Sequence, residues 1–386
     1  MKLPSSLVFY IGNGVVKAAV VVHEKAKQPR IISTTIRNLP HFDERDREHL
    51  EKRILFEFGE LVREFKSENF KDLASKDYKL KIEGAFVLVS SPWYISETSV
   101  IKIKEQKPFL VTDSLLSNSR ENIVKAYRDA HKVDVAILEQ KIINVTLNGY
   151  PTNNPLKKKA ETLDMTIFTS FVRKSSADQI RDIIDTNFHA KEISIHSQSL
   201  VSFTVISDTW HDLSQYIIAD VTSQLTELVA VRKGALSEAY SFPRGKQFLV
   251  KAVADKLKVA TEVAESLLHM KNEGKIEEEL GKKLDTALAS AKKDWLESFS
   301  ESLAVMSASS SLPNNFFLFA PKDVVHIFSD YITCEEYQQF SFAEGKFEVK
   351  SVGVPDLMPY CKIENGATGD LSLMIGAIFN SKMKSL

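Results

Sequence analysis

The chain has 386 residues, 44% hydrophobic and 26% charged, with 14 Gly and 12 Pro, a profile that excludes disordered, collagenous and fibrous proteins. Fifty basic residues against 51 acidic ones leave a formal charge of −1, so bulk electrostatics favours neither nucleic acid nor an anionic membrane. The length exceeds what one hydrophobic core fills, so two lobes are expected, with any ligand in the cleft between them.

Leu7–Val22 sets two apolar, β-branched runs around Gly12-Asn-Gly14 and predicts a hairpin. Arg30–Arg37 predicts a third strand. From His41 to Lys66, the residues Leu50, Ile54, Leu55, Phe58, Leu61, Val62 and Phe65 recur at helical spacing, with charges on the other face. Gly84–Ser90 predicts a buried strand bounded by Pro92. Residues 93–172 read as a separate small unit: strand Glu97–Lys104, helix Ser114–His131, strand Glu139–Leu147, a turn-rich segment Asn148–Pro155 and strand Thr162–Val172. A helix over Ser176–Asn187, capped by Ser175 or Ser176, and a strand at Glu192–His196 follow. Tyr216–Gly234 then repeats the opening pattern, two strands around a polar turn, and Ala235–Phe242 adds a third. Helices are predicted over Lys246–His269 and Ile276–Met306, a buried strand over Phe316–Ala320, and a final apolar helix over Gly366–Lys384.

Apolar stretches such as Ala18–Val22 fall far short of the ~20 residues that span a bilayer, and residues 1–6 lack a signal-peptide core, so a cytoplasmic location is expected. Two cysteines, Cys334 and Cys361, match the sparse usage of a reducing compartment and read as ordinary thiols. The nine histidines show no His-x-x-x-His spacing and neither cysteine has a Cys or His within four positions, so no zinc site is expected. His196-Ser-Gln-Ser-Leu200 sets serine beside histidine without the Gly-x-Ser-x-Gly elbow of a hydrolase. Lysine clusters at 157–159, 282–283 and 292–293 are interspersed with acids and read as solvated faces.

The segments Tyr10–Lys17 and Asp220–Glu227 both lie at the tip between two strands that open a strand–strand–strand–helix order, which is an internal duplication. The duplication resembles the actin-like ATPase superfamily, in which two RNase H-like lobes each present a hairpin turn to the phosphates of one ATP. The resemblance implies a two-lobed α/β fold, with 1–92 and 173–210 as the first lobe, 93–172 as an inserted α+β subdomain and 211–386 as the second lobe. Within the superfamily the chain resembles the FtsA/PilM group, the cell-division FtsA proteins before their pilus relatives. Four segments carry this: Leu147–Leu156, Lys233-Gly-Ala-Leu236, Phe242-Pro-Arg-Gly245, and Glu262-Val-Ala-Glu265 followed by Lys271 and Gly274.

A turn that cradles phosphate needs small residues, so that backbone N–H groups approach the oxygens, and an acid at the strand end to position hydrated Mg²⁺. By the resemblance, Gly12, Asn13, Gly14 and Lys17 cradle phosphate from one lobe. Asp220 and Thr226 hold Mg²⁺ and phosphate from the other, Asp220 as the metal residue, with Gly245 at the helix start and Glu265 facing the ribose. The sequence departs from the family pattern at four places. Tyr10 stands at the position of a metal-orienting Asp, Thr222 and Gln224 replace glycines of the second turn, Lys246 replaces the second glycine after Pro243, and Phe316–Asp323 lacks the Gly-Gly pair of an adenosine loop. These departures predict a cleft narrower and less positive than ATP requires, and at most a weak ATPase.

The implied role is assembly rather than turnover: a cytoplasmic scaffold for cell division that self-associates, with ATP and Mg²⁺ as its ligands. The alternatives are a PilM-like adaptor of a type IV pilus machine, gripping a short peptide of a membrane protein beside the small unit, or a slow ATPase whose turnover controls filament dynamics. Phe379–Leu386 carries two lysines and little apolar face, so membrane contact is expected only through a partner.

Overall fold

A computed structural model of the chain describes residues 2–24, 27–39, 47–308, 310–333, 340 and 346–385. The predicted helix start at His41 and the thiol of Cys334 lie outside these residues. The strands, in chain order, begin with β1 (Leu3–Ile11), β2 (Val15–Val22), β3 (Arg30–Asn38), β4 (Leu80–Val89) and β5 (Tyr94–Leu110). Next come β6 (Val135–Leu147), β7 (Tyr150–Pro151), β8 (Lys159–Arg173), β9 (Ile193–Ser197) and β10 (Tyr216–Val221). The last five are β11 (Thr226–Arg232), β12 (Ala235–Phe242), β13 (Asn315–Phe319), β14 (Glu348–Ser351) and β15 (Lys362–Ile363).

Two of the three sheets share one topology. In the first the order is β15-β3-β2-β1-β4-β9, and in the second β12-β11-β10-β13-β14. Each places an antiparallel three-strand meander beside two parallel strands. The duplication predicted from the two hairpins is therefore a duplication of whole sheets.

Helix α1 (Arg47–Glu64) continues through a π-helical stretch, Phe65–Asn69, into α2 (Phe70–Ser75). Its apolar positions Ile54, Leu55, Phe58, Leu61 and Val62, with Phe65 beyond them, are buried on the outer face of the first sheet, where Phe58 meets Phe9 edge-on at 5.6 Å. Helix α3 (Asp113–His131) covers the third, antiparallel sheet, β5-β8-β6-β7, and with it forms the small unit. Helix α4 (Lys174–Phe188) starts earlier than predicted, so Ser175 and Ser176 lie inside it rather than capping it, and Ser176 donates to Glu51.

Helix α5 (Gln198–Thr209) has no counterpart in the sequence prediction; its polar buried residues Gln198, Ser199 and Ser202 break the amphipathic pattern. The predicted helix Lys246–His269 is two helices, α6 (Lys246–Leu257) and α7 (Thr261–Asn272), divided where Lys258 takes a left-handed φ of 59°. Helix α8 (Glu278–Ser307) packs Trp295 and Phe299 into the outer core of the second sheet. The remaining helices are α9 (Val325–Ile332), α10 (Val354–Leu357) and α11 (Leu371–Ser385).

One core lies between the two sheets. It joins Val8, Phe86 and Leu88 of the first to Ile218, Val229 and Phe317 of the second through α5 and α11. The sequence reading set 211–386 in the second lobe, but the end of this stretch returns to the first. Strand β15 pairs with β3, and Leu373, Met374 and Ala377 of α11 pack in the same core as β1 and β4. The cause is the apolar surface on the inner face of β1 and β4, which a final helix apolar on several sides covers.

Candidate functional site

The site lies where the two hairpin tips face each other. Gly12 and Gly14 flank the first turn, and Tyr10 pairs across the hairpin with Lys17, whose Nζ sits 4.8 Å from the Tyr10 ring centroid. A Cβ added at Gly12 would lie 2.9 Å from Cε1 of Tyr10. The tyrosine that replaces the expected acid therefore takes the space that Gly12 leaves open.

The second turn touches the first. A Cβ at Gly14 would lie 2.9 Å from Cβ of Ser223, which puts the two tips in van der Waals contact. Asn13, buried, donates from Nδ2 to Oε1 of Gln224 at 2.7 Å, a hydrogen bond from one lobe to the other.

The donors of the second lobe are committed internally. The backbone N–H groups of Gly245, Lys246 and Gln247 donate to the carbonyls of Gln224, Thr222 and Ser223, at 3.1, 3.0 and 2.8 Å. Three N–H groups at the start of α6, the place where a helix receives anions, thus hold the turn itself. Gly245 is confined by this packing: a Cβ there would approach the carbonyl oxygen of Thr222 to 2.5 Å. The Thr222 hydroxyl accepts from Leu225 N, and the Thr226 hydroxyl donates to the Arg244 carbonyl at 2.8 Å.

Lys17 and Lys246 are neutralised. Lys17 Nζ lies 2.7 Å from Asp370 and also donates to Ser372 at 3.2 Å. Lys246 is clamped between Glu265 of α7 and Asp323, the latter at 2.8 Å. Burial disfavours its charge, but the hydrogen bonds and charges of Asp323 and Glu265 overcome this and hold its pKa above the ordinary value. Glu265, expected to face a ribose, thus faces the lysine that stands in place of a glycine.

Behind the tips lies a group of acids that sequence reading missed apart from Asp220. Burial pushes Asp220 up to about 7 against the pull of Lys17, and its Oδ2 has no hydrogen-bond partner. Glu227, its partner across β10 and β11, is pushed up to about 8 by burial, although it accepts from Tyr94. Tyr94 in turn shares a hydrogen bond with Ser199 at 2.6 Å, and Glu139 of the small unit accepts from the Ser197 hydroxyl. First lobe, second lobe and small unit meet at these residues. Glu139 and Glu227 sit in apolar runs of strands, where a lone acid is the only available signal of a buried polar partner.

ATP and Mg²⁺, which the actin-like fold implies, do not fit the residues as arranged. The turn tips are in contact, the N–H groups at the start of α6 have protein acceptors, Lys17 and Lys246 have carboxylate partners, and the unpartnered Oδ2 of Asp220 belongs to a buried acid. Among the described residues, no group of three or more His, Cys, Asp or Glu could hold a metal ion.

The Leu147–Leu156 segment, one of the four that carry the resemblance to the FtsA/PilM group, is mostly an exposed turn. Asn148 and Gly149 take φ of 51° and 81°, and the Asn148 side chain accepts from the backbone N–H of Glu161 and Thr162. Local turn chemistry accounts for it. Among the described residues no helix is long and apolar enough to cross a membrane.

No protein-family model and no curated protein sequence matches this chain. Solved structures do. A structure of the PilM-PilN type IV pilus biogenesis complex superposes with a TM-score of 0.63 at 10% identity, covering 97% of this chain and 98% of the other. Weaker likenesses include the ethanolamine utilization protein EutJ from Carboxydothermus hydrogenoformans, with a TM-score of 0.45, 10% identity and coverage of 98% and 90%. A protein of unknown function from Bacteroides thetaiotaomicron with an actin-like ATPase fold gives 0.42, 8% identity and coverage of 97% and 95%. The chain has the two-lobed actin-like ATPase fold, along its whole length and in the form that PilM shows.

Proposed function

We propose that this protein is a PilM-like adaptor, a scaffold that holds a short apolar segment of a membrane-bound pilus-type partner against its small unit. One observation carries the reading. Ile95 and Ile137 flank Phe171 in register on a single face of the small unit's sheet, and both stand 51% and 43% exposed, although the α3 ring of Tyr127 stacks on Phe171 at 4.3 Å. Two exposed isoleucines on either side of a buried aromatic pair are the contacts that this reading assigns to the peptide. The whole-chain likeness to PilM supports the same reading. The cell-division reading has no comparable whole-chain likeness among the structures compared above.

The test is fluorescence anisotropy with labelled peptides from the cytoplasmic ends of type IV pilus membrane proteins of the same organism. Binding that Ile137→Glu weakens by about tenfold or more, with unchanged thermal unfolding, is expected. No binding by any of these peptides would remove the pilus reading.

A further inference from the structure

We infer that this chain is its own cleft ligand: the Asn13–Gln224 pair, which crosses from lobe to lobe, and Lys246, whose salt bridges lie within the second lobe, occupy the positions that the resemblance gives to a nucleotide, and the Asn13–Gln224 pair fastens the lobes without one. Three independent contacts carry the inference. The Lys246 ammonium bridges α7 and the loop after β13 through Glu265 and Asp323, and both Lys246 and Asp323 are largely shielded from water, at 15% and 14% exposure. In the actin-like fold those two elements flank the nucleoside, so the salt bridge spans its place. Asn13 and Gln224 join the two turns at 2.7 Å, and Ser223 sits in the space beside Gly14. The turns meet each other where phosphate would separate them.

The chemistry is consistent at every point. A nucleotide closes such a cleft by presenting acceptors to backbone N–H groups and negative charge to lysines. Here the carbonyls of 222–224 are the acceptors, and Asp370, Asp323 and Glu265 are the negative charge. Closure by covalently attached groups avoids the loss of translational freedom that a bound ligand incurs, so it does not depend on ligand concentration.

Hydrogen exchange on the intact protein, read by mass spectrometry, tests this. Peptides spanning 10–17 and 220–228 are expected to be protected with no nucleotide and unchanged by millimolar Mg-ATP. The double variant Asn13→Ala/Gln224→Ala is expected to speed their exchange roughly threefold to tenfold, leaving the buried strand Asn315–Phe319 protected as a control for folding. Lys246→Ala tests the second-lobe contact separately and is expected to speed exchange in the loop carrying Asp323. Three results would overturn the inference: turns that exchange fast until Mg-ATP slows them, turns whose protection ignores the Asn13→Ala/Gln224→Ala variant, or an Asp323 loop whose protection ignores Lys246→Ala.

Discussion

The amide of Asn13 and the amide of Gln224, 211 positions apart, share a 2.7 Å hydrogen bond that fastens one lobe to the other. Truncating Asn13 to alanine leaves the partly buried Gln224 without its donor. A loss of about 1–2 kcal/mol in urea-unfolding stability is expected, and a double-mutant cycle with Gln224→Ala should show positive coupling. Strict additivity of the two losses would mean the bond contributes nothing.

Gly14 and Ser223 make a sharper pair. Gly14→Ala forces a Cβ to within 2.9 Å of Ser223 Cβ and is expected to cost about 1–3 kcal/mol. Because only the Ser223 side chain is in the way, Ser223→Gly should recover most of the loss. Gly245→Ala admits no such rescue, since its Cβ would meet the backbone of Thr222, Gln224 and Leu225. Melting temperatures of the variants decide the matter.

Lys246→Ala leaves Asp323 shielded and without its cation, which should cost about 2–4 kcal/mol. Lys246→Met with Asp323→Leu removes both charges together and should be far less damaging. If the double change were as harmful as the single one, packing rather than charge would govern this site.

Asp220 and Glu227 set a pH dependence. Their pKa values rise on folding from 3.8 and 4.5 to about 7 and about 8, so the folded state binds more protons than the unfolded state between those limits. Their contribution is fully present below pH 4 and is lost as pH rises through about 7 and 8. Stability should therefore fall across this window, and Asp220→Asn and Glu227→Gln should each flatten the fall. Denaturation midpoints from pH 5 to 9 measure it; equal slopes in wild type and both variants would contradict it.

Much of the architecture was legible in the chain because periodicity and β-branching dominate where strands and amphipathic helices form. The hairpin at Leu7–Val22 and its echo at Tyr216–Gly234 were visible for that reason. The helix α5 was not, since buried Gln198, Ser199 and Ser202 interrupt the apolar pattern of Leu200, Val201, Val205 and Ile206: Gln198 bonds Ser202 within the helix, and Ser199 pairs with Tyr94 and Glu227 across the interlobe junction. The site was half legible. Glycines at 12, 14 and 245 announce close approach by something, but a sequence does not say whether that is phosphate, a tyrosine ring or another turn. Lys246, Glu265 and Asp323 become one electrostatic system only when α6, α7 and the loop after β13 converge, and Lys17 meets Asp370 only when α11 returns to the first sheet; no local pattern encodes either convergence.

The return of α11 to the first sheet bears on the order of events during synthesis. Val8 and Phe86 emerge from the ribosome early, yet Leu373, Met374 and Phe379, which share their core, arrive some 290 residues after Phe86. Until then α5 covers only part of the inner face of the first sheet, and the share that α11 takes stays open while the second sheet is already being made. The nascent chain therefore carries an exposed sticky surface through most of its translation, and a chaperone that shields β1 and β4 would serve this protein longer than it serves one whose lobes are contiguous in sequence.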